Sequence, residues 1–379
     1  MFEWLLLFHL FQPMSETPNT YPTKPLTAAD IEYIKTIPMI FILGRERSGT
    51  SLLQNLLDSH PNIIGPPESK IIAVLAPKFA PIKRWTEANI REFAELLYIE
   101  PMFTNFWHLD KEQLTKNLLL AKDSATYELL CKIVYYHLRK DKEKIILISD
   151  KNPSYILHIN TLLDIFPDTK FVHIIREPRD NIYSQMKAFN AKNTIFSAQK
   201  WLGFNQLVER KKKKMPEKFY TIIYENMVTE TEDIMKGLCA FLKVPYSEAM
   251  IQNVFPEWLS AHLERKGNVD RKNMVHTGLL APINTSNVGK WKNKLSAYDQ
   301  AATEAITADF AKKTYGYDIS IDPNSKIKIS GFKILKGKCL YYLWQAFTQA
   351  RYKSFAFNLM YSKRKQKKKG KDLPMWEYF

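Results

Sequence analysis

The chain has 379 residues, 45% of them hydrophobic, a composition ordinary for a soluble globular protein with a large buried core. Its three cysteines, Cys131, Cys239 and Cys339, are odd in number and far apart, which excludes a disulfide framework and a cysteine metal site. The net charge is +16, and residues 323–379 alone hold 14 basic and 2 acidic side chains. We expect a cytoplasmic protein whose basicity belongs to its C-terminal extension.

The N-terminal run MFEWLLLFHLF is apolar but too short to span a bilayer, and Glu3 stands where a signal peptide carries positive charge. No other window is apolar for about 20 residues, so we expect no transmembrane helix. A short helix is predicted near Ala28–Ile34. We divide the chain into an N-terminal extension over 1–30, a catalytic domain over 31–322 and the basic extension over 323–379.

Four short apolar runs, at 38–43, 144–149, 170–175 and 219–224, have the character of buried parallel strands. Helical patterns lie between them. This alternation predicts an α/β chain with three layers, in which helices flank a central, mostly parallel sheet. Ligands bind at the carboxyl ends of such strands, and polar segments follow the first three runs.

The segment after the first strand, GRERSGTS, is P-loop-like. Gly44 and Gly49 allow a tight turn in which successive N–H groups converge on an anion at the start of the next helix. The donors of this loop are predicted to be Arg47, Ser48, Gly49, Thr50 and Ser51. Thr50 stands where a nucleoside triphosphatase needs lysine, which argues against NTP hydrolysis. The alternative is a tight turn without a ligand.

Two further strand ends carry polar residues. Arg176 follows the third strand, Pro178 suits the first turn of a helix, and Ser184 lies about two turns into it. An arginine and a serine that meet one anion form a phosphate site, although alone this pattern is more often a solvated helix start. Asp150 resembles the magnesium aspartate of an NTPase, but Lys151 follows at once and puts a cation where a metal would be needed. No metal is expected.

Together these segments resemble the sulfotransferase superfamily, whose members use 3′-phosphoadenosine 5′-phosphosulfate (PAPS). RSGTS at 47–51 is similar to the loop that cradles the 5′-phosphosulfate, and Arg176 and Ser184 match the pair that binds the 3′-phosphate. The family's DKxP element, its tyrosine near the adenine and its Lys/Arg-Trp turn are matched by 150–153, Tyr224 and Lys290-Trp291. The resemblance covers about 38–315. It implies transfer of a sulfuryl group from PAPS to a hydroxyl acceptor.

The run RSGTSLLQNLLDSHPNIIGPPESK resembles most closely the tyrosylprotein sulfotransferases. On that pattern Glu68 takes the place of the catalytic base, while Ser69 and Lys70 take the Thr and Arg places. The family has Gly-Glu where this chain has Pro66-Pro67. The acceptor is therefore expected to be a hydroxyl of a carbohydrate, a lipid or a protein tyrosine.

In-line sulfuryl transfer needs cations on the moving group, and Arg47 and Lys151 are expected to supply them. Glu68 would remove the acceptor proton if it is partly desolvated; the alternative is a surface-turn carboxylate. His60 is the rival base, although a capping role at a helix end suits it better. His173 and Trp291 are expected in the core. For Tyr224 the alternative to an adenine contact is packing alone, and no role is predicted for His276.

Residues 339–361 are rich in aromatics and precede SKRKQKKKGK, a pattern typical of a surface anchor on anionic lipid. The alternative is that this helix packs on the catalytic domain. Nothing except charge favours nucleic acid, so no nucleic-acid partner is expected. The rival functions are a nucleotide-dependent kinase, which lacks its lysine here, and a non-catalytic protein that binds a membrane or an anionic polymer through the extension.

Overall fold

A computed structural model describes residues 23–139, 141–252, 282–319, 327–358 and Met360. Residues 1–22, His276 and the run SKRKQKKKGK lie outside the described residues, and so do the expectations attached to them. Within the described part, no helix is both long and apolar enough to cross a bilayer.

Five parallel strands form the central sheet, which confirms the predicted three-layer α/β fold. They are β1 (Met39–Leu43), β2 (Ile63–Ile64), β3 (Leu147–Lys151), β4 (Lys170–Ile175) and β5 (Phe219–Ile223). Their order across the sheet is β2-β3-β1-β4-β5. Both neighbours of β1 are separated from it by long crossovers, as parallel strands require.

Helices pack on both faces of this sheet. Before β3 come α1 (Ala28–Thr36), α2 (Thr50–Asp58), α3 (Ile71–Phe79), α4 (Glu87–Leu97), α5 (Pro101–Phe106), α6 (Lys111–Leu119) and α7 (Tyr127–Tyr136). After it come α8 (Ile159–Ile165), α9 (Pro178–Phe189), α10 (Thr194–Lys212), α11 (Tyr224–Thr229), α12 (Thr231–Leu242), α13 (Ala249–Gln252), α14 (Ala297–Tyr315) and α15 (Gly331–Lys353).

The third strand lies further along the chain than the pattern predicts. The apolar run at 144–149 suggested a strand that ends before Asp150, whereas β3 continues through Asp150 and Lys151, which pair with Phe41 and Ile42 of β1. The amide of Ile148 also donates to the carbonyl of Pro38, the residue before β1, at 3.0 Å. Lys151 therefore lies in the sheet, beside the end of β1.

Two smaller differences concern strand ends. The two-residue strand β2 was not predicted, because Ile63–Ile64 is too short to show a periodicity. The fourth run was expected to reach Tyr224, but β5 ends at Ile223 and Tyr224 opens α11.

The C-terminal helix α15 packs against α10 and α3. Two glycines allow the close approach: a Cβ on Gly203 of α10 would lie 2.3 Å from the Tyr341 ring, and one on Gly337 of α15 would lie 2.4 Å from Ile195. Tyr341 and Trp344 join the main apolar cluster of the molecule. The helix therefore packs on the catalytic domain, as the alternative expectation had it.

Candidate active site

The loop between β1 and α2 adopts a conformation that few sequences could take. Gly49 has φ +96°, and a Cβ at this position would lie 2.5 Å from the ring of Tyr224. Arg47 also has a positive φ, +69°. Gly49 is the N-cap of α2 and has no side chain to accept from the first-turn N–H groups. These amides are therefore available to an anion.

Polar side chains on α9 fix the shape of this loop. Asn181 donates to the carbonyl of Glu46 at 2.9 Å and to the Ser48 hydroxyl at 3.0 Å, and Gln185 donates to the same carbonyl at 2.7 Å. The Nε of buried Arg45 donates to Oδ1 of Asn181 at 3.2 Å. Asn181 and Gln185 were not predicted as site residues, although their spacing from Ser184 places them on one helical face.

Arg176 and Ser184, which were predicted to share one anion, lie on either side of Arg47 from the loop. Nε of Arg47 donates to Oγ of Ser184 at 3.0 Å, and Nη1 of Arg176 donates to the carbonyl of Arg47 at 3.0 Å. The Arg176 guanidinium lies 4.7 Å from the centroid of the Tyr224 ring. Burial and the nearby charge of Arg176 both lower the pKa of Arg47. A bound anion would offset this repulsion between the two guanidinium groups.

Arg176 also carries a buried hydrogen-bond donor that a ligand could satisfy. Its Nη2 donates to the carbonyl of Asn287, yet its buried Nε has no hydrogen-bond partner among the residues that the structure describes. A buried donor without a partner costs free energy, so a ligand oxygen at this position would be stabilising. The arginine fork suits a phosphate in particular.

The turn at 285–291 closes this side of the site. Asp180 accepts from the amides of Gly289 at 2.6 Å and Trp291 at 2.9 Å, which fixes the turn over the start of α9. Lys290 is exposed, and its Nζ donates to Oδ1 of Asn287 at 2.8 Å. Trp291 is only half-buried and stacks at 3.6 Å on the Arg179 guanidinium, so its expected place in the core is wrong. A cation–π interaction with Arg179 therefore stabilises the half-buried Trp291 ring.

Glu68 lies in a fixed position beside the end of β3. Its Oε2 accepts from Nζ of Lys151 at 2.5 Å and its Oε1 accepts from Nδ2 of Asn152 at 3.1 Å. Its side chain is only 23% exposed, so the alternative of a solvated surface turn does not describe it. These two donors hold the carboxylate in one orientation.

The two prolines before Glu68 are anchored from both sides. Gln54 on α2 donates to the carbonyl of Pro66 at 3.2 Å, and the indole of Trp107 donates to the carbonyl of Pro67 at 3.0 Å. The departure from the family pattern at Pro66-Pro67 thus leaves Glu68 rigidly placed. Neither Gln54 nor Trp107 was singled out from the sequence, because both contacts join distant segments.

Lys70 and Tyr352, the latter from helix α15, form a wall of the site near Glu68. The nearby Tyr352 and the charge of Glu68 raise the pKa of Lys70, although burial opposes them. Burial acts to raise the pKa of Tyr352, but the charges of Lys70 and Arg351 and a hydrogen bond from Ser154 outweigh it and lower this pKa. The Tyr352 ring lies 4.3 Å from the His158 ring. Tyr352 was not predicted as a site residue.

The other candidate residues, His60, His173 and Ser69, all make hydrogen bonds to other groups of the protein. His60 is buried; its Nδ1 accepts from the amide of Asn62 at 3.0 Å and its Nε2 lies 3.0 Å from the carbonyl of Pro245, so both ring nitrogens contact backbone atoms outside α2. His173 is buried in β4 and contacts Oδ1 of Asn205 at 2.9 Å, in agreement with a core histidine. The Ser69 hydroxyl donates to Glu100 at 2.9 Å. In the described ranges, no cluster of three metal-ligating side chains occurs.

Comparison with known proteins gives the family. The profile of the Sulfotransferase family matches residues 38–248, more than half of the chain. The chain belongs to the sulfotransferase family. The predicted superfamily and the transferase activity that it implies are therefore confirmed.

Among the relatives, protein-tyrosine sulfotransferase 1 of Danio rerio is 24% identical over 299 residues, which cover 77% of this chain and 75% of that protein. The Homo sapiens protein of the same name is 24% identical over 301 residues, with 77% and 72% covered. The solved sulfotransferase domain from the Synechococcus PCC 7002 olefin synthase is 22% identical, covers 75% of this chain and 97% of that one, and has a TM-score of 0.49.

Proposed function

We propose that this sulfotransferase transfers the sulfuryl group of PAPS to a hydroxyl acceptor. The observation that carries the proposal is the convergence of Arg47, Arg176 and Ser184 at the N-terminus of α2. Lys151 and Glu68 lie nearby, because Lys151 pairs with Ile42 two residues before the loop begins. A phosphate site and a carboxylate base thus share one edge of the sheet.

The residues present fit PAPS. The amides that begin α2 suit the 5′-phosphosulfate, since Gly49 leaves room for close approach and no side chain caps them. Nε of Arg176, which has no partner within the described ranges, suits the 3′-phosphate together with Ser184. The ring of Tyr224 lies beside Arg176 and offers a surface for the adenine, and the exposed Lys290, bonded to Asn287 in the adjacent turn, adds positive charge.

The chemistry then follows from charge and position. When bound, PAPS supplies the sulfuryl group and leaves as 3′,5′-adenosine bisphosphate. The acceptor oxygen forms a bond to sulfur while the bond between sulfur and the 5′-phosphate oxygen breaks, and the acceptor proton passes to Glu68. Arg47 and Lys151 stabilise the negative charge on the sulfuryl and the leaving oxygens.

The proposed acceptor is a hydroxyl of a carbohydrate, a lipid or a protein tyrosine. Of these three classes, protein tyrosine has the most support. Two of the most similar relatives are named protein-tyrosine sulfotransferases, which favours a tyrosine acceptor. The wall formed by Lys70 and Tyr352 provides a cation and an aromatic edge beside Glu68, which would suit a phenol with acidic neighbours.

Calorimetric titration with 3′,5′-adenosine bisphosphate, ATP and AMP in parallel, without Mg²⁺, tests the proposal. We expect the bisphosphate to bind at least about tenfold more tightly than AMP, because only the former reaches Arg176 and Ser184 with a 3′-phosphate. Preference for ATP would favour a kinase instead. Absence of nucleotide binding would overturn the proposal.

A further inference from the structure

The helix α15 has two apolar faces. The inner face packs on α10 and α3 through Tyr341, Trp344 and Tyr352, which are all buried. A helix that is held to a domain on one side normally presents polar side chains on the other. The outer face of α15 does not follow this rule.

Large apolar side chains recur along the outer face at helical spacing. Phe332 is 75% exposed, Leu335 57%, Tyr342 53% and Leu343 68%. Leu340 and Phe347 are also exposed, and Cys339 lies among them. Positions 332, 335, 339, 342, 343 and 347 recur at spacings of three and four residues, with 342 and 343 adjacent, so they form one stripe opposite the buried side chains. We call these six positions the outer stripe. A stripe of this kind indicates an interaction surface.

The charges of the helix identify the partner. Residues 331–353 contain five basic side chains and no acidic one. Lys333, Lys336 and Lys338 are exposed; Lys333 and Lys338 flank the outer stripe, and Lys336 lies on the same face as the stripe, between Phe332 and Cys339. Long lysine side chains can extend their ammonium groups to the level of lipid headgroups while their stems lie on apolar surface. Sequence beyond the helix adds seven more basic residues between 363 and 371.

We propose that α15 docks this sulfotransferase on an anionic lipid surface, with the outer stripe inserted at the acyl boundary. The helix lies in the plane of the interface, because its inner face stays packed on α10. Apolar insertion and lysine–headgroup attraction act together, as they do in interfacial helices. The proposal is independent of the nucleotide site.

Vesicle co-sedimentation of the full chain without nucleotide provides the test. The probes are vesicles of phosphatidylcholine alone and vesicles with about 30% phosphatidylserine, an anionic content that attracts basic segments. We expect binding to the anionic vesicles that weakens with salt, and little binding to the neutral ones. Equal binding to both, or none to either, would overturn the proposal.

A matched pair of double variants separates apolar insertion from charge. Phe332→Glu/Leu343→Glu changes two side chains of the outer stripe, and we expect at least an about tenfold loss of vesicle partitioning. The control Ile99→Glu/Leu120→Glu makes the same charge change at exposed apolar residues, 43% and 50% exposed, beyond the ends of α4 and α6. Bisphosphate binding verifies that each variant is folded. The proposal fails if the two variants bind vesicles alike, or if the stripe variant instead dissociates a dimer that does not bind vesicles.

A label on Cys339 would report directly whether the outer stripe inserts into the lipid surface. Cys131 and Cys239 are buried, so a polarity-sensitive thiol fluorophore labels Cys339 selectively. Insertion of the outer stripe predicts a blue shift of its emission on anionic vesicles, and an unshifted spectrum in the presence of bound vesicles contradicts insertion. Cys339→Ser controls for label on the buried thiols.

Discussion

Nζ of Lys151 lies 2.5 Å from Oε2 of Glu68, and both side chains are largely buried. The proposed mechanism gives these two groups opposite tasks, since Lys151 stabilises negative charge on the sulfuryl group and Glu68 accepts a proton. In this structure each neutralises the other. Bound PAPS would compete for Lys151 and thereby raise the basicity of Glu68 when the acceptor arrives.

Glu68→Gln should lower turnover about 100- to 10,000-fold, because the amide keeps the size of the side chain but cannot take a proton. Affinity for the bisphosphate should stay within a few-fold, measured by calorimetry beside initial-rate kinetics. Glu128→Gln is the matched control, because Glu128 also pairs with a buried lysine, Lys132, at 2.7 Å but lies in α7. Unchanged turnover in Glu68→Gln would exclude this residue as the base.

Arg176→Ala should weaken binding of 3′,5′-adenosine bisphosphate by about 10- to 100-fold, the range for loss of a charge-assisted contact. Binding of AMP should change little, since AMP has no 3′-phosphate. Calorimetry of both nucleotides on one preparation gives the comparison and corrects for any loss of folded protein. Equal losses for the two ligands would show that Arg176 does not contact the 3′-phosphate.

Gly49→Ala should abolish nucleotide binding and lower the melting temperature. The added methyl meets the Tyr224 ring at 2.5 Å and the backbone keeps φ +96°. Gly316→Ala isolates the cost of a positive φ, because Gly316 has φ +73° at the end of α14 and open space around its Cα. We expect this control to lose only about 1–2 kcal/mol of stability and to bind nucleotide normally. Normal nucleotide binding by Gly49→Ala would count against the loop as the phosphate site.

The sheet and the loop could be predicted because their signals are local. Apolar runs gave four strands, and Gly44 and Gly49 gave the tight turn. The shift of β3 was not predicted, because the end of this strand follows from its pairing with β1, where Asp150 and Lys151 lie opposite Phe41 and Ile42. A strand boundary is set by the partner's hydrogen bonds as well as by its own side chains.

The support around the candidate site could not be predicted, because it is non-local. Gln54 and Trp107 anchor the segment before Glu68, and their contacts span 12 and 40 residues. Asn181 acts on a loop more than 130 residues before it. The contact of Tyr352 with the site depends on how α15 packs on α10. A single sequence holds no local pattern that joins such positions.

Asp150 should make stability depend on pH in a distinctive way. Burial raises its pKa to about 7 from an ordinary 3.8, against a hydrogen bond from the Tyr155 hydroxyl that acts to lower it. Between those values the folded protein keeps a proton that the unfolded chain has lost. The contribution of this group to the free energy of unfolding is therefore full below about pH 4 and declines by up to about 1.4 kcal/mol per pH unit as the pH rises to 7.

Asp150→Asn cannot titrate, yet it keeps an oxygen that accepts from Tyr155. The stability of this variant relative to the wild type should rise from pH 4.5 to 7 and then level off, measured by urea denaturation across that range. The buried histidines His137, His158 and His173, whose pKa values burial lowers to about 4, act in the opposite direction. They are present in both proteins and cancel in the difference. Asp309→Asn, at an exposed carboxylate, is the control. A difference that does not change with pH would mean that Asp150 is ionised in the folded protein throughout this range.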